Sequence, residues 1–354
     1  MSDYSIKIAV AGVGNLTSAL VQAIYYYTEG HSEELIHPKL GGFSISDIQL
    51  VAAFDIDQSK VGKDLSDAIF SAPNNKQKVI NIPKLNVMVN KGPTLDGISE
   101  YTEEVIKVAS EVDANIVEIL KQSKAEFLVI NTPSGSNQAV ETYAQAALDA
   151  GVGVINSTPT KLVRNPEWVK KFVAAGLPLL GDDLQSQAGG TIFHKGVLEV
   201  LHEQGIKIED TYQLDVSGGL EGLTTLDYSR RQNKRKVKED TIKRSIPYDI
   251  NVAAGTTDYL DFLGSRRIGH YWIKGSGFLG QEVKIDITMI TDDGSNGAAS
   301  LVDAIRAAKI ALARGKSGPI INVCAHLFKG PPSYISRTDA INRFSEFITG
   351  ERDS

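Results

Sequence analysis

The sequence is short of the residues that mark several common protein classes. Among 354 residues there is one cysteine, Cys324, so no internal disulfide can form. Its apolar setting, IINVCAHLF, points to a buried, inert thiol. No apolar run reaches the ~18 residues of a membrane-spanning helix, and no secretory signal pattern opens the chain. A cytoplasmic protein is expected, because the cysteine usage suits a reducing compartment. The six histidines are scattered and no H-E-x-x-H pair occurs. Any metal ion would therefore be held by oxygen ligands, and the need for a monovalent or divalent cation is left open. A net charge of −6 argues against a general nucleic-acid binder.

What is present begins at Ile6. The apolar run Ile6–Ala11 reads as a buried strand, Gly12 and Gly14 permit a tight turn, and a helical pattern follows (Leu16, Ala19, Leu20, Ala23, Ile24). Strand, glycine turn and helix in that order build a phosphate site, with backbone N–H groups at the helix start facing an anion. The third glycine of G-x-G-x-x-G is replaced by Thr17. A second apolar strand, Ile48 to Phe54, ends in Asp55, a carboxylate placed to meet the adenosine ribose hydroxyls and to favour NAD over NADP. The segment between the first helix and this strand, Thr28 to Ser46, reads as an insertion.

Strands are expected at 6–11, 48–54, 85–89, 126–131, 152–156 and 178–180, and helices at 16–27, 102–121, 137–150 and 166–175. This alternation implies an α/β fold with a doubly wound, Rossmann-like parallel sheet. The loops after its strands, including Asn131 to Ser136 and Asn156 to Thr160, should line a ligand crevice. Beyond residue 188, the segments 211–218, 269–278 and 283–291 alternate apolar and polar residues, as in an antiparallel sheet with one covered face. Helical periodicity returns at 296–315, followed by the apolar run PIINVCAHLF, read as a strand. The expected division is a nucleotide-binding domain over 1–187 and 297–354, with an inserted α+β catalytic and oligomerisation domain over 188–296.

Three features carry polar chemistry. The segment 229–245 is dense in Lys and Arg; if helical, Lys234 and Lys238 share a face. Two clustered ammonium groups depress each other's pKa, so one could serve as a base, although charge runs are usually solvated surface. GDDLQSQAGGT (181–191) carries two carboxylates suited to a cation, a ribose or a lysine. Lys329 in HLFKGPP would by default be surface decoration.

A resemblance adds to this reading. GVGN with SALVQ behind it, VAAFDID with VGKDLSDAIF, NKGPTLDG, GDDLQSQAGGT, and NGAASLVDAIRAAKIALARG leading to LFKGPP occur in that order. Together they resemble the myo-inositol-1-phosphate synthase family, in its short archaeal and actinobacterial form, over about residues 6–350. The resemblance implies an NAD-dependent isomerase of inositol and phospholipid biosynthesis. Such an enzyme converts D-glucose 6-phosphate to 1L-myo-inositol 1-phosphate with no net redox change. Hydride leaves C5, the ketone acidifies a C6 proton, the enolate closes on the C1 aldehyde, and hydride returns to C5.

Carried over residue by residue, the family's paired lysines fall on Lys234 and Lys238, at the substrate oxygens, with one handling proton transfer. Its late lysine falls on Lys329, to polarise the C1 carbonyl and bind phosphate, and its DSPN aspartate on Asp293. The family's cofactor contacts fall on Gly12, Gly14, Asn15 and Asp55; Leu16 is expected beside them, and Thr132, Pro133 and Ser134 are expected to touch the cofactor from their position after a strand. Asp182 and Asp183 are expected near the nicotinamide ribose and an active-site lysine. The resemblance also implies a homotetramer joined through the inserted sheets.

The departures fall on the substrate side. Arg267 stands where the family has a fourth lysine, and arginine cannot act as a neutral base. Gly219 and Glu221 replace an asparagine and an aspartate, Gln185 replaces a lysine, and Gly294–Ser295 replace Ser-Pro. The alternatives are a related NAD-dependent cyclase or oxidoreductase acting on another sugar phosphate, and a non-catalytic NAD-binding protein.

Overall fold

The computed structural model describes residues 5–29 and 32–353. The first half alternates as its sequence dictates. β1 (Ile6–Ala11), α1 (Asn15–Tyr26), β2 (Ile48–Asp55), α2 (Leu65–Ala68), β3 (Val89–Lys91), α3 (Ile116–Ser123), β4 (Phe127–Ile130), α4 (Asn137–Ala150), β5 (Gly153–Asn156), α5 (Pro166–Ala174) and β6 (Pro178–Leu180) follow one another. The chain then forms α6 (Gly190–Glu203), β7 (Lys207–Ser217), α7 (Leu220–Thr224), α8 (Tyr228–Lys243), β8 (Asn251–Tyr259), β9 (Arg266–Ser276) and β10 (Glu282–Asp292). It returns through α9 (Asp293–Ala313), β11 (Gly318–Pro319), α10 (Ile321–Leu327) and α11 (Arg337–Thr349). Among the described residues, no helix is long and apolar enough to cross a membrane.

The larger sheet runs in the order β11-β6-β5-β4-β1-β2-β3, with every neighbouring pair parallel. Strands covered by helices on both faces must be apolar throughout, and β4 is buried at all four positions. The strand order reverses between β1 and β4, which leaves a crevice beyond their carboxyl ends. Gly12 makes that crevice possible. Its φ is +99°, and a Cβ there would lie 2.6 Å from the Asn131 carbonyl oxygen at the end of β4. Gly12→Ala is therefore expected to cost about 2–3 kcal/mol of stability. A thermal melt and a nucleotide titration should both show the loss; an unchanged melt would contradict the close approach.

The second sheet, β10-β9-β7-β8, packs α6 and α8 over its own core of Leu198, Ile208, Ile242, Ile246, Ile250, Ala254 and Ile273. Its register differs from expectation in one respect: β7 and β8 run parallel, so the sheet is mixed. Its polarity differs in another. Thr211, Gln213, Asp215 and Ser217 are the buried side of β7, whereas Tyr212, Leu214 and Val216 on the opposite side are only half-buried. The covered face is polar because it lines a cavity.

Other departures have local causes. The helix expected over 102–121 forms only as α3, capped by Asn115, whose Oδ1 accepts from Glu118 N at 3.2 Å. The residues before it are drawn into pairing with the end of β2, through Ala109 N to Ile56 O and Gln58 N to Lys107 O, both 2.8 Å. The third strand lies at 89–91 rather than 85–89, where Val89 meets Ala53. The apolar run expected as a strand is the two-residue β11 followed by α10. There Cys324 is fully buried, and burial pushes its thiol up to about 12.

Candidate active site

The turn after β1 is braced where its motif is incomplete. Thr17, fully buried, donates from Oγ1 to Gly12 O at 2.6 Å and accepts from Asn131 Nδ2 at 3.1 Å. Its hydroxyl ties the glycine turn to the β4 loop, which a third glycine could not do. Gly14 caps α1 with no side-chain cap bond and no acidic residue in the first turn, which leaves the helix's first N–H groups available to an anion. Asp55 Oδ2 accepts from Val13 N at 2.7 Å, and its Oδ1 from Ile56 N at 2.8 Å and Asp57 N at 3.0 Å.

Gly12, Gly14 and Asp55 line a cavity of about 90 Å³. It shares Gly14, Asn131, Thr132, Pro133 and Leu220 with a larger one of about 270 Å³. Several buried polar atoms of residues lining this crevice have no partner among the described residues: Asn131 Oδ1, Thr132 Oγ1, Ser157 Oγ and Asp57 Oδ2. Buried groups of that kind need hydrogen bonds. Together with the open space around Gly14, they fit a nucleotide carrying phosphates and ribose hydroxyls.

The larger cavity gathers the remaining candidates. Lys234, Lys238, Arg267, Lys329, Asp293, Asp183, Asn15, Leu16, Thr132, Pro133 and Ser134 all line it. Asp227 caps α8 by accepting from Arg230 N at 3.0 Å, and Lys234 and Lys238 project one turn apart toward the cavity. Asp292 caps α9 by accepting from Ser295 N at 2.8 Å, which frees the next residue, Asp293, to face Arg267. Lys329 reaches the cavity because its N–H donates to Asp183 O at 2.8 Å, pairing the chain after α10 with the loop after β6.

Each cation meets a carboxylate. Lys329 Nζ donates to Asp183 Oδ1 at 2.7 Å. Lys234 pairs with Glu221, and Lys238 with Asp215. Arg267 forks onto Asp293, with Nε 2.7 Å and Nη2 2.6 Å from Oδ2, and its Nη1 reaches Asp215 Oδ2 at 3.3 Å. Burial is the largest influence on Lys238 and drives its pKa down. Despite burial, Lys238 and Arg267 hold Asp215 down at about 2, and Lys234 holds Glu221 below the ordinary range. Asp293 and Asp215 hold the Arg267 guanidinium above its ordinary value against burial.

One expected contact falls elsewhere. Asp182 lines neither cavity. It is fully buried behind the wall, where Oδ1 accepts from Asn156 Nδ2 at 2.8 Å and Leu162 N at 3.1 Å, and Oδ2 accepts from Arg164 Nε at 3.2 Å. Asp183, whose Oδ1 meets Lys329 Nζ at 2.7 Å, is the one of the pair that lines the cavity. Asn15 lines the cavity, and its side-chain oxygen accepts from Asn75 N at 3.0 Å and Lys76 N at 3.1 Å. Ser134 is engaged by Glu221, its Oγ 2.5 Å from Oε1. Asp215 and Gln213 are among the cavity residues that sequence reasoning missed. The available signal was a carboxylate in phase with the buried side of a period-two strand.

Three comparisons bear on this arrangement. A family model described as Myo-inositol-1-phosphate synthase matches residues 189–294. The inositol-3-phosphate synthase of Mycolicibacterium smegmatis is 37% identical over 99% of this chain and 100% of its own length. The crystal structure of Ari2 aligns with a TM-score of 0.78 at 32% identity, over 98% of this chain and 99% of that one. The fold is also that of a myo-inositol-1-phosphate synthase-related protein from Thermotoga maritima, with a TM-score of 0.81 at 21% identity over 99% of this chain and 100% of that one.

Proposed function

The chain belongs to the myo-inositol-1-phosphate synthase family, and from that premise we propose that it converts D-glucose 6-phosphate to 1L-myo-inositol 1-phosphate. The observation that carries this reading is the convergence of Lys234, Lys238, Arg267 and Lys329 on one cavity continuous with the nucleotide crevice. Collecting four cations in a partly desolvated cleft is costly, and a simple nucleotide sensor has no use for it. A reaction that develops oxyanions beside a phosphate does.

NAD would be held by the Gly12–Gly14 turn, by Asp55 at the adenosine ribose, and by the polar atoms of Asn131, Thr132 and Ser157. Bound there, it supplies a hydride acceptor and, once reduced, the donor that restores the oxidation level. The chain's own residues supply the rest. A lysine whose ammonium form is disfavoured by burial suits removal of the C6 proton, and Lys238 is the buried one. Arg267 keeps its charge at all working pH values and therefore stabilises oxyanions rather than moving protons. Lys329 polarises the C1 carbonyl and meets phosphate, with Asp183 as its counter-ion between turnovers. Lys234, steadied by Glu221, faces the substrate oxygens beside Lys238.

Residues 188–296 are proposed as the inserted catalytic and tetramerisation unit, and 1–187 with 297–354 as the nucleotide-binding unit. The two separate hydrophobic cores support that division. The half-buried apolar face of β7, where Tyr212 stacks on Trp272, supports a homotetramer joined through these sheets.

Purified protein with glucose 6-phosphate and NAD+ should form an inositol monophosphate detectable by phosphorus NMR. Its absence, also with Mg2+ or K+ added, would remove the proposal. One feature favours a second reading: Glu221 is engaged by both Lys234 and Ser134, and Gly219 offers the substrate no side chain. A related sugar phosphate would then be the substrate, and turnover of another member of a substrate panel in preference to glucose 6-phosphate would establish it.

A further inference from the structure

Asp215 is the most deeply held carboxylate of the cavity. It is fully buried on β7, and its Oδ2 accepts from both Lys238 Nζ and Arg267 Nη1. Gln213, two residues earlier on the same face, donates from Nε2 to both carboxylate oxygens, at 3.0 and 3.1 Å. Thr211 Oγ1 gives its one proton to Trp272 O at 2.7 Å. His194 Nε2, 2.7 Å from the same Oγ1, must therefore be the donor in that contact. This fixes the Nε2–H tautomer and leaves Nδ1 an acceptor. Burial keeps the ring neutral, with its pKa down at about 4. Among the described residues neither His194 Nδ1 nor Gln213 Oε1 has a hydrogen-bond partner, and the Gln213 NH2 group is turned to Asp215.

We infer that Asp215 is the positioning residue of the cavity, clamping Lys238 and Arg267 side by side and setting how firmly the Lys238 amine holds its proton. The inference rests on the isomerase reading and deepens it, because it assigns the group that tunes one lysine for proton transfer. The groups facing Lys238 are Asp215 from β7, Arg267 from β9, Lys234 from its own helix and neutral His194 from α6. Arg267 and Lys234 are answered in turn by Asp293 and Glu221. Asp215 raises the Lys238 pKa, while burial and the two cations lower it. Removing the Asp215 charge takes away the main upward influence, so Lys238 is expected to lose its proton at lower pH.

The test is Asp215→Asn in the NAD-loaded protein, which keeps the shape and an acceptor for Gln213. Lys238 is titrated by NMR of [ε-13C]lysine-labelled protein, its signal assigned by loss in Lys238→Arg. The midpoint should fall by about 1–3 pH units, the range for loss of an adjacent opposite charge, and one limb of the kcat/KM profile should move with it. The kcat at neutral pH should fall about tenfold or more, with NAD affinity held within about threefold. Asp215→Glu should keep the midpoint near that of the unaltered protein, yet lower kcat, because the clamp is displaced by a methylene. An unmoved midpoint in Asp215→Asn, or full kcat in Asp215→Glu, overturns the inference. If the unaltered protein turns over no glucose 6-phosphate, the isomerase reading falls by itself, and the lysine titration still decides the role of Asp215.

Discussion

Lys329→Ala is expected to lower kcat by about 10³-fold or more, the scale of losing a preorganised charge at a developing oxyanion. NAD affinity, measured by calorimetry, should stay within about threefold. The expectation rests on how the residue is held. Its backbone N–H bonds Asp183 O at 2.8 Å, Gly330 N bonds Asp182 O at 2.9 Å, and Leu184 bridges Phe328. None of these needs the side chain, so the two chain segments stay paired when it is truncated. What truncation does remove is the partner of Asp183 Oδ1, while Oδ2 has none among the described residues. A buried carboxylate left unpaired costs about 3–5 kcal/mol, so a lower melting temperature is expected alongside the lost turnover. Adding Asp183→Asn should recover much of the melting temperature and none of the activity. Equal losses of turnover and NAD affinity in the single variant would instead give Lys329 a cofactor or structural role.

Asp55→Ala should weaken NAD binding by about 100-fold, because the carboxylate does two things at once. Its oxygens accept from Val13, Ile56 and Asp57 N–H groups, which fixes the backbone on either side of the crevice. It also presents negative charge to the cavity shared with Gly12 and Gly14. Lys60 Nζ, 3.7 Å away, is too distant to neutralise it by a direct hydrogen bond. A carboxylate so placed accepts ribose hydroxyls and repels a 2′-phosphate. Discrimination between NAD and NADP should therefore shrink together with affinity. Asp55→Asn, which keeps an acceptor oxygen, should lose less affinity but the same share of the discrimination. Unchanged NAD affinity in Asp55→Ala, measured by calorimetry, would refute the ribose assignment.

The elements legible from sequence are those whose cause is local. β1 is an unbroken apolar run, and Gly12 and Gly14 follow it where the backbone must turn sharply. α8 could be read as a helix that places Lys234 and Lys238 on one face, and that is how they stand. Where a distant segment competes, local reading fails. Residues 107–109 leave the helical pattern to pair with the end of β2, and α10 replaces an expected strand at the edge of the sheet. The phase of β7 was legible but not its sense, because a polar cavity rather than an apolar core covers it.

The sequence alone determined that a glycine turn, an acidic strand end and a set of scattered cations exist, since each depends only on residue type and on neighbours within a few positions. Tertiary structure alone decided which charges meet. Asp183 and Lys329 are 146 residues apart, and Asp215 and Arg267 are 52 apart. They become partners only because α9 carries the chain back to the first sheet and β9 lies beside β7. Periodicity records which face of an element is buried; it holds no record of what lies on the other side. The strength of an ion pair depends on the water excluded around it, and that exclusion arises only when the two sheets close over one cleft.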